Sequence, residues 1–143
     1  MLAAVRTSIS EEINTKIDQV LISSIDAQTS WHKALVGVDV VIHLAARVHI
    51  MHETSEDVLE AYRTVNSLGT ANLATQAAAS GVKRFIFLST IKVLGEANHN
   101  SVFSVASPAM PVEGYSLSKY EAEQSLMHCA QTTGMELVII RPP

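Results

Sequence analysis

The sequence predicts an α/β fold with a parallel sheet, and two observations support this. Three short runs, at 39–45, 84–88 and 136–140, are apolar without alternation and rich in β-branched or aromatic residues. Strands that are covered on both faces have this pattern. Helical patterns lie between the runs, and strands that alternate with helices indicate a parallel sheet with right-handed crossovers.

Weaker signals predict the remaining elements. Gly81 and Gly134 each fit the C-cap of a preceding helix, because glycine takes the left-handed conformation at little cost. A long polar loop with Pro108 and Pro111 is often functional when it lies inside a compact domain. In chain order these elements are strands at 2–5 and 19–25, a turn at 30–36, a helix at 55–80, the loop at 95–114 and a helix at 115–133.

Composition indicates one globular domain and excludes several classes of function. The 143 residues are 48% apolar and 17% charged, and the net charge is −4. So mild a charge gives no basis for binding nucleic acid or an anionic membrane. No apolar run reaches the roughly 20 residues that span a bilayer. We therefore predict no nucleic-acid partner and no membrane partner.

Cysteine and histidine usage predicts neither a disulfide nor a metal site. Cys129 is the only cysteine, which fits a reducing compartment, so we expect a cytoplasmic protein. Its helical setting favours a place in the core over a role as nucleophile. The six histidines form no H-E-x-x-H motif and no Cys/His cluster.

The run Y-S-L-S-K at 115–119 carries the strongest chemical signal. Residues four apart share one helix face, so Tyr115 and Lys119 are neighbours there. An ammonium close to a phenol lowers the phenol pKa from about 10. With a strand-end hydroxyl, this pair could remove a proton from an alcohol whose carbon gives up a hydride. The bare motif also fits a surface tyrosine beside a solvated lysine, so its context decides.

The context is the carboxyl end of the predicted sheet, where ligands bind in such folds. The strands end at 44–46, at 88–90 and at 141–142. Ala45 and Ala46 are small enough to allow close approach of a ligand to the backbone, and they equally fit tight packing between a strand and a helix.

Five segments together resemble a known family. They are GVDVVIHLAA at 37–46, NSLGTANL at 66–73, GVKRFIFLST at 81–90, YSLSK at 115–119 and VIIRPP at 138–143. Their order and spacing resemble those of extended short-chain dehydrogenases/reductases of the NAD-dependent epimerase/dehydratase family. Two further segments, at 45–51 and 89–93, are similar to bacterial nucleotide-sugar 4-epimerases and 4-keto-sugar reductases of surface-polysaccharide pathways.

The resemblance implies a Rossmann-like doubly wound parallel sheet that is incomplete. The glycine-rich motif G-x-x-G-x-x-G, which forms the first strand, turn and helix of the fold, is absent from the sequence. We therefore expect residues 1–143 to form a partial NAD(P)-binding domain without its first strand and helix. The substrate-binding part of the family would follow Pro143. We expect this fragment alone to bind dinucleotide poorly and to catalyse nothing.

The resemblance also implies a role for each candidate residue. Tyr115 would be the catalytic acid/base, Lys119 would bind the nicotinamide ribose, and Thr90 would match the catalytic Ser/Thr. Ser24 stands where the family usually has an aspartate against the adenine, which weakens that assignment. The implied cofactor-binding residues are Ser24, Ile25, Leu44, Ala45, Ala46, Asn66, Ser89, Tyr115, Lys119 and Pro142.

The function implied first is that of a UDP-sugar 4-epimerase, similar to UDP-glucose 4-epimerase, which oxidises C4 transiently with bound NAD. The alternative is an NAD(P)H-dependent reductase of a nucleotide-linked 4-keto-6-deoxy sugar. Arg6 is a hint of NADP, because an arginine can pair with the 2′-phosphate of that cofactor, but Arg6 could equally be an exposed charge at a strand end. A dehydratase is disfavoured, because Ile91 and Lys92 replace the family's Asp-Glu pair. A non-catalytic scaffold of the same fold stays open as a further alternative. The resemblance also implies a homodimer, because relatives dimerise through the helices that correspond to those expected here at 55–80 and 115–133.

Overall fold

The computed structural model describes residues 1–7, 17–48, 58–97 and 102–143. Its elements alternate between strands and helices, as the sequence predicts. In chain order they are β1 (Leu2–Val5), β2 (Asp18–Leu21), α1 (His32–Leu35), β3 (Val40–His43), α2 (Val58–Tyr62), a π-helix (Arg63–Gly69), α3 (Thr70–Ala79), β4 (Arg84–Leu88), a 3₁₀-helix (Ile91–Leu94), α4 (Gly114–Thr133) and β5 (Glu136–Ile140).

All strand pairs are parallel, and they form two sheets. One sheet has the order β3-β4-β5, with Val41 opposite Phe85 and Phe85 opposite Leu137. The other contains only β1 and β2. Within the described residues no strand joins β1 to β3, so each of these strands has one edge without a strand partner. This split agrees with the expected lack of a central strand.

Only one face of the larger sheet is covered by the described residues. Helices α3 and α4 pack on that face around Phe85 and Phe87, which are fully buried. On the opposite face Ile42 is 60% exposed and Ile140 is 46% exposed. The prediction that these strands are covered on both faces is therefore wrong for the described part of the chain, because no described element packs on the second face.

The predicted strand at 19–25 is wrong at its C-terminal end. The strand ends at Leu21, and residues after it form a turn. The Asp26 carboxylate accepts hydrogen bonds from the Ser24 hydroxyl at 2.6 Å and from the Gln28 N–H at 2.8 Å. These local bonds compete with a strand ladder, as aspartate and serine side chains commonly do.

The predicted helix at 55–80 is helical from Val58 to Ala79, and residues 55–57 lie outside the described ranges. It is not a regular α-helix, because residues Arg63–Gly69 form a π-helix. π-Helical segments are rare and frequently occur at functional sites. Gly69 lies at the end of this segment, where a Cβ atom would stand 2.7 Å from Cγ2 of Ile25. The helix therefore packs unusually close to the turn after β2.

The predicted loop at 95–114 is preceded by the 3₁₀-helix and ends where α4 begins at Gly114, and residues 98–101 lie outside the described ranges. In the described residues, no helix is both long enough and apolar enough to cross a membrane. The same residues contain no group of three His, Cys, Asp or Glu side chains that could hold a metal ion.

Candidate active site

The carboxyl ends of β4 and β5 lie side by side and bring three predicted residues together. The Ser89 N–H donates to the Ile140 carbonyl at 2.7 Å, and the Ile91 N–H donates to the Pro142 carbonyl at 2.8 Å. Ser89, Thr90 and Pro142 are thus held at one edge of the sheet by backbone hydrogen bonds. This is the edge at which α/β sheets bind ligands.

Helix α4 carries Tyr115 and Lys119 to this edge. Its first turn is fixed by Ser116, whose hydroxyl accepts from the Glu113 N–H at 3.2 Å and donates to the Glu113 carbonyl at 2.9 Å. Gly134 closes the helix in the left-handed conformation with φ of 76°. The predicted helix at 115–133 is confirmed, with its start one residue earlier.

Lys119 is a buried cation under the end of β4. Lys119 is only 1% exposed, and its Nζ donates to the Leu88 carbonyl at 2.7 Å. The same Nζ lies 4.0 Å from the centre of the Phe87 ring. Burial lowers the pKa of Lys119 to about 8, while the negative charge of Glu123 opposes this change.

Tyr115 differs from the prediction in the direction of its pKa. The phenol is half-buried, and burial raises its pKa; the charge of Lys92 lowers it and Tyr62 raises it further. The expectation that Lys119 lowers this pKa is wrong for this structure, because the Lys119 ammonium is directed to the Leu88 carbonyl. The Tyr115 ring also packs edge-on against Tyr62, with the ring centres 6.1 Å apart.

Two hydroxyls follow β4 and differ in their partners. The Thr90 Oγ1 accepts from the Lys92 N–H at 3.3 Å and so caps the 3₁₀-helix. The Ser89 hydroxyl is buried and has no hydrogen-bond partner among the described residues. A buried hydroxyl without a partner is costly, and a ligand that bonds to it would remove that cost.

Asn66 lies in the π-helix and holds the chain that follows β3. Its Oδ1 accepts from the Arg47 N–H at 2.8 Å, and its Nδ2 donates to the Arg47 carbonyl at 3.0 Å. Its Nδ2 also donates to the Ser118 hydroxyl at 3.0 Å, which in turn donates to the Tyr115 carbonyl at 2.7 Å. One amide therefore couples the segment after Leu44, Ala45 and Ala46 to the first turn of α4.

The predicted adenine-side residues lie apart from Tyr115, at the end of β2. Ser24 lines a shallow cleft of about 250 Å³, and Ile25 packs against the core instead of facing that cleft. Sequence reasoning missed Asn72, whose Nδ2 donates to the Asp26 carbonyl at 3.0 Å and to the Thr29 carbonyl at 2.8 Å. Its signal was an amide side chain within an otherwise Ala-rich helix.

Sequence reasoning also missed a buried ion pair between α4 and the end of β5. The Arg141 guanidinium donates to both carboxylate oxygens of Glu123, at 3.0 and 2.6 Å. Glu123 is fully buried and lies one helical turn after Lys119. A glutamate on the same helix face as Lys119 was the signal. The pair fixes the backbone next to Pro142.

Comparisons with known proteins identify the family of this chain and agree with its fold. The sequence model of the "NAD dependent epimerase/dehydratase family" matches residues 3–143. The UDP-glucose 4-epimerase of Vibrio cholerae is 43% identical over 141 residues, which cover 96% of this chain and 43% of that protein. The chain therefore spans less than half the length of this relative.

Solved structures with bound NAD share the fold. A double mutant of a dTDP-glucose 4,6-dehydratase of Streptomyces venezuelae superposes with a TM-score of 0.78 at 27% identity, over 91% of this chain and 39% of that one. A UDP-glucuronic acid 4-epimerase of Bacillus cereus superposes with a TM-score of 0.75 at 26% identity, over 91% of this chain and 40% of that one. The expected Rossmann-like parallel α/β fold is confirmed.

Proposed function

The chain belongs to the NAD-dependent epimerase/dehydratase family, and from this we propose that the whole protein is a nucleotide-sugar 4-epimerase that works with NAD. The supporting observation is that the Lys119 ammonium bonds to the Leu88 carbonyl at the carboxyl end of β4, directly before Ser89 and Thr90, while Tyr115 lies one helical turn before Lys119 on α4. Similarity to the Vibrio cholerae UDP-glucose 4-epimerase favours a UDP-sugar as substrate. This chain would supply the partial dinucleotide-binding domain with the catalytic residues.

The described residues fit a dinucleotide along the sheet edge. The Ser89 hydroxyl is buried without a partner in the described part of the chain, so it can donate to a bound group. The chain after β3 is exposed at Ala45, where a small side chain allows close approach. Lys119 would bind the ribose hydroxyls, and the cleft at Ser24 would receive the adenine side. When bound, NAD would accept a hydride from C4 and return it.

In this proposal Tyr115 moves the proton. Its phenolate oxygen would take the proton of the C4 hydroxyl, and Thr90 would donate a hydrogen bond to the same substrate oxygen. After the sugar has rotated in the site, Tyr115 returns that proton to the C4 oxygen, which completes the cycle. Lys119 would stabilise the phenolate once a ligand draws its ammonium from the Leu88 carbonyl, where it now donates at 2.7 Å.

A reductase is the second candidate, and one observation favours it. Burial raises the pKa of Tyr115, which favours the protonated phenol from which a reductase starts over the phenolate that an epimerase needs first. A reductase needs Tyr115 as the acid that protonates the new C4 oxygen, with the nicotinamide consumed in each turnover.

The stoichiometry of the nicotinamide separates the two candidates. The whole protein would be incubated with UDP-glucose and NAD in one assay and with a nucleotide-linked 4-keto-6-deoxy sugar and NADH in a second, and product sugars and NADH would be measured together in each. An epimerase forms the C4 epimer with no net change in NADH, which is the expected result. A protein that reduces a 4-keto sugar with one NADH per product, and leaves UDP-glucose unchanged, would be a reductase, and the epimerase proposal would be wrong.

We also propose that the whole protein forms a homodimer through the helices at 58–79 and 114–133. In the first of these segments Val58 is 38% exposed and Leu68 is 50% exposed, so apolar surface is left for a partner helix. Analytical ultracentrifugation of the whole protein tests this. A dimer is expected, and a monomer at micromolar concentration would contradict the proposal.

A further inference from the structure

Lys92 bridges the two elements that carry the catalytic hydroxyls. It lies on the 3₁₀-helix, two residues after Thr90, and its Nζ is 3.1 Å from Oε2 of Glu113 and 3.2 Å from Oε2 of Glu96. Glu113 immediately precedes α4 and lies two residues before Tyr115. The ion pair between Lys92 and Glu113 therefore spans from the end of β4 to the first turn of α4.

The backbone around Lys92 reinforces this bridge. The Lys92 N–H donates to the Thr90 hydroxyl at 3.3 Å, and the Ile91 N–H is held by the Pro142 carbonyl at 2.8 Å. On the other side, Ser116 fixes Glu113 through two hydrogen bonds. The ion pair between Lys92 and Glu113 thus adds a side-chain link between the start of α4 and the strand end that carries Thr90, beside the bond from Lys119 to the Leu88 carbonyl.

We propose that Lys92 is a positioning residue for Tyr115, which places the phenol beside Thr90 through Glu113 and supplies the positive charge that favours its phenolate. The proposal rests on the proposed proton transfer by Tyr115, and it applies whether the whole protein is an epimerase or a reductase.

The charges around the phenol agree with this role. Lys92 from the 3₁₀-helix lowers the pKa of Tyr115, whereas Tyr62 from α2 raises it. The Lys119 ammonium on α4 donates to the Leu88 carbonyl, and Glu113, just before α4, is paired with Lys92. Removal of Lys92 would take away a positive charge near the phenol and would leave the carboxylates of Glu113 and Glu96 without this partner. The lost positive charge and the two uncompensated negative charges each disfavour a phenolate nearby.

The test compares variants of Lys92 in the whole protein by titrating the tyrosine absorbance with pH. The difference between each protein and its Tyr115→Phe partner isolates the titration of Tyr115. Lys92→Met should raise that pKa at low salt, because one screened positive charge near the phenol is lost. Lys92→Arg keeps the charge and should restore the pKa. The control Lys83→Met removes the lysine of an exposed pair with Asp39 and should change nothing.

The rate of the whole protein gives a second readout. We expect Lys92→Met to move the pH dependence of kcat upward in pH with Tyr115, and Lys92→Arg to return it. Equal pKa values of Tyr115 in the wild type and in Lys92→Met would overturn the charge role. The absorbance titration needs no turnover, so failure of the epimerase proposal would leave it interpretable. Conversely, a Lys92→Met variant whose maximal kcat equals that of the wild type, once the shift of its pH profile is allowed for, would contradict the positioning role alone.

Discussion

Lowering the pH should destabilise this chain through His43. The side chain is 5% exposed, its Nε2 lies 2.9 Å from the Thr70 hydroxyl, and its ring stacks on Phe87 with the ring centres 5.7 Å apart. Burial lowers the pKa of His43 from 6.5 to about 4, and the positive charge of Lys119 adds to this. The folded chain thus keeps His43 neutral at pH values at which the unfolded chain protonates it.

The sign and size of the effect follow from proton linkage. Where the unfolded state binds more protons than the folded state, stability rises with pH. The contribution is therefore complete above pH 6.5 and is lost as the pH falls through the folded pKa of about 4. The two pKa values of His43 differ by about 2.5, and at about 1.4 kcal/mol for each whole unit this gives a loss of about 3.5 kcal/mol.

Urea unfolding of the chain at a series of pH values between about 7 and 4 measures this loss. His43→Gln can still bond to Thr70 but does not titrate, so its free energy of unfolding should fall less steeply over the same range. The exposed His128→Gln is the matched control and should keep the slope of the wild type. If the free energies of unfolding of His43→Gln and of the wild type fall in parallel between pH 6.5 and 4, the claim that the folded chain keeps His43 neutral is wrong.

Three further predictions concern packing and binding. Glu123→Gln breaks the buried pair with Arg141 and should lower the free energy of unfolding by about 3 kcal/mol. The control Glu136→Gln, in an exposed pair with Arg84, should change it little. Equal losses in the two variants would contradict the claim that the buried pair stabilises the fold. Gly69→Ala places a Cβ 2.7 Å from Ile25 and should lower the free energy of unfolding by about 1–3 kcal/mol. Adding Ile25→Ala should reduce this loss, and an unreduced loss would count against the close contact. In calorimetric titration the chain alone should bind NAD more weakly than about micromolar, because no described strand joins β1 to β3, and micromolar binding would show that reasoning to be wrong.

The strands at 84–88 and 136–140 could be predicted to the residue because their apolar, β-branched runs end sharply at polar residues or proline. The strand at 19–25 could not, since the turn after Leu21 depends on hydrogen bonds to the Asp26 carboxylate, which a hydrophobicity pattern does not record. The π-helix at Arg63–Gly69 was missed because apolar spacing cannot distinguish it from an α-helix.

The site was predictable as a set of residues and not as a set of contacts. The spacing of Tyr115 and Lys119 placed both on one helix face, but it could not show that the Lys119 ammonium donates to the Leu88 carbonyl. The direction of the Tyr115 pKa depends on that contact and on burial, which are tertiary properties. Asn66 was identified by its motif, whereas its bonds to the Arg47 backbone required the fold.

The central claim is that Tyr115 transfers the proton at C4 of a nucleotide sugar. The most direct test is turnover of UDP-glucose by the whole protein and by its Tyr115→Phe variant, with Tyr120→Phe on the same helix as the control. Tyr115→Phe should reduce kcat by about 10²–10⁴-fold while substrate binding is retained, because only the acid/base group is lost. Tyr120→Phe should keep the activity of the wild type. A Tyr115→Phe variant that turns over at the wild-type rate would contradict the account.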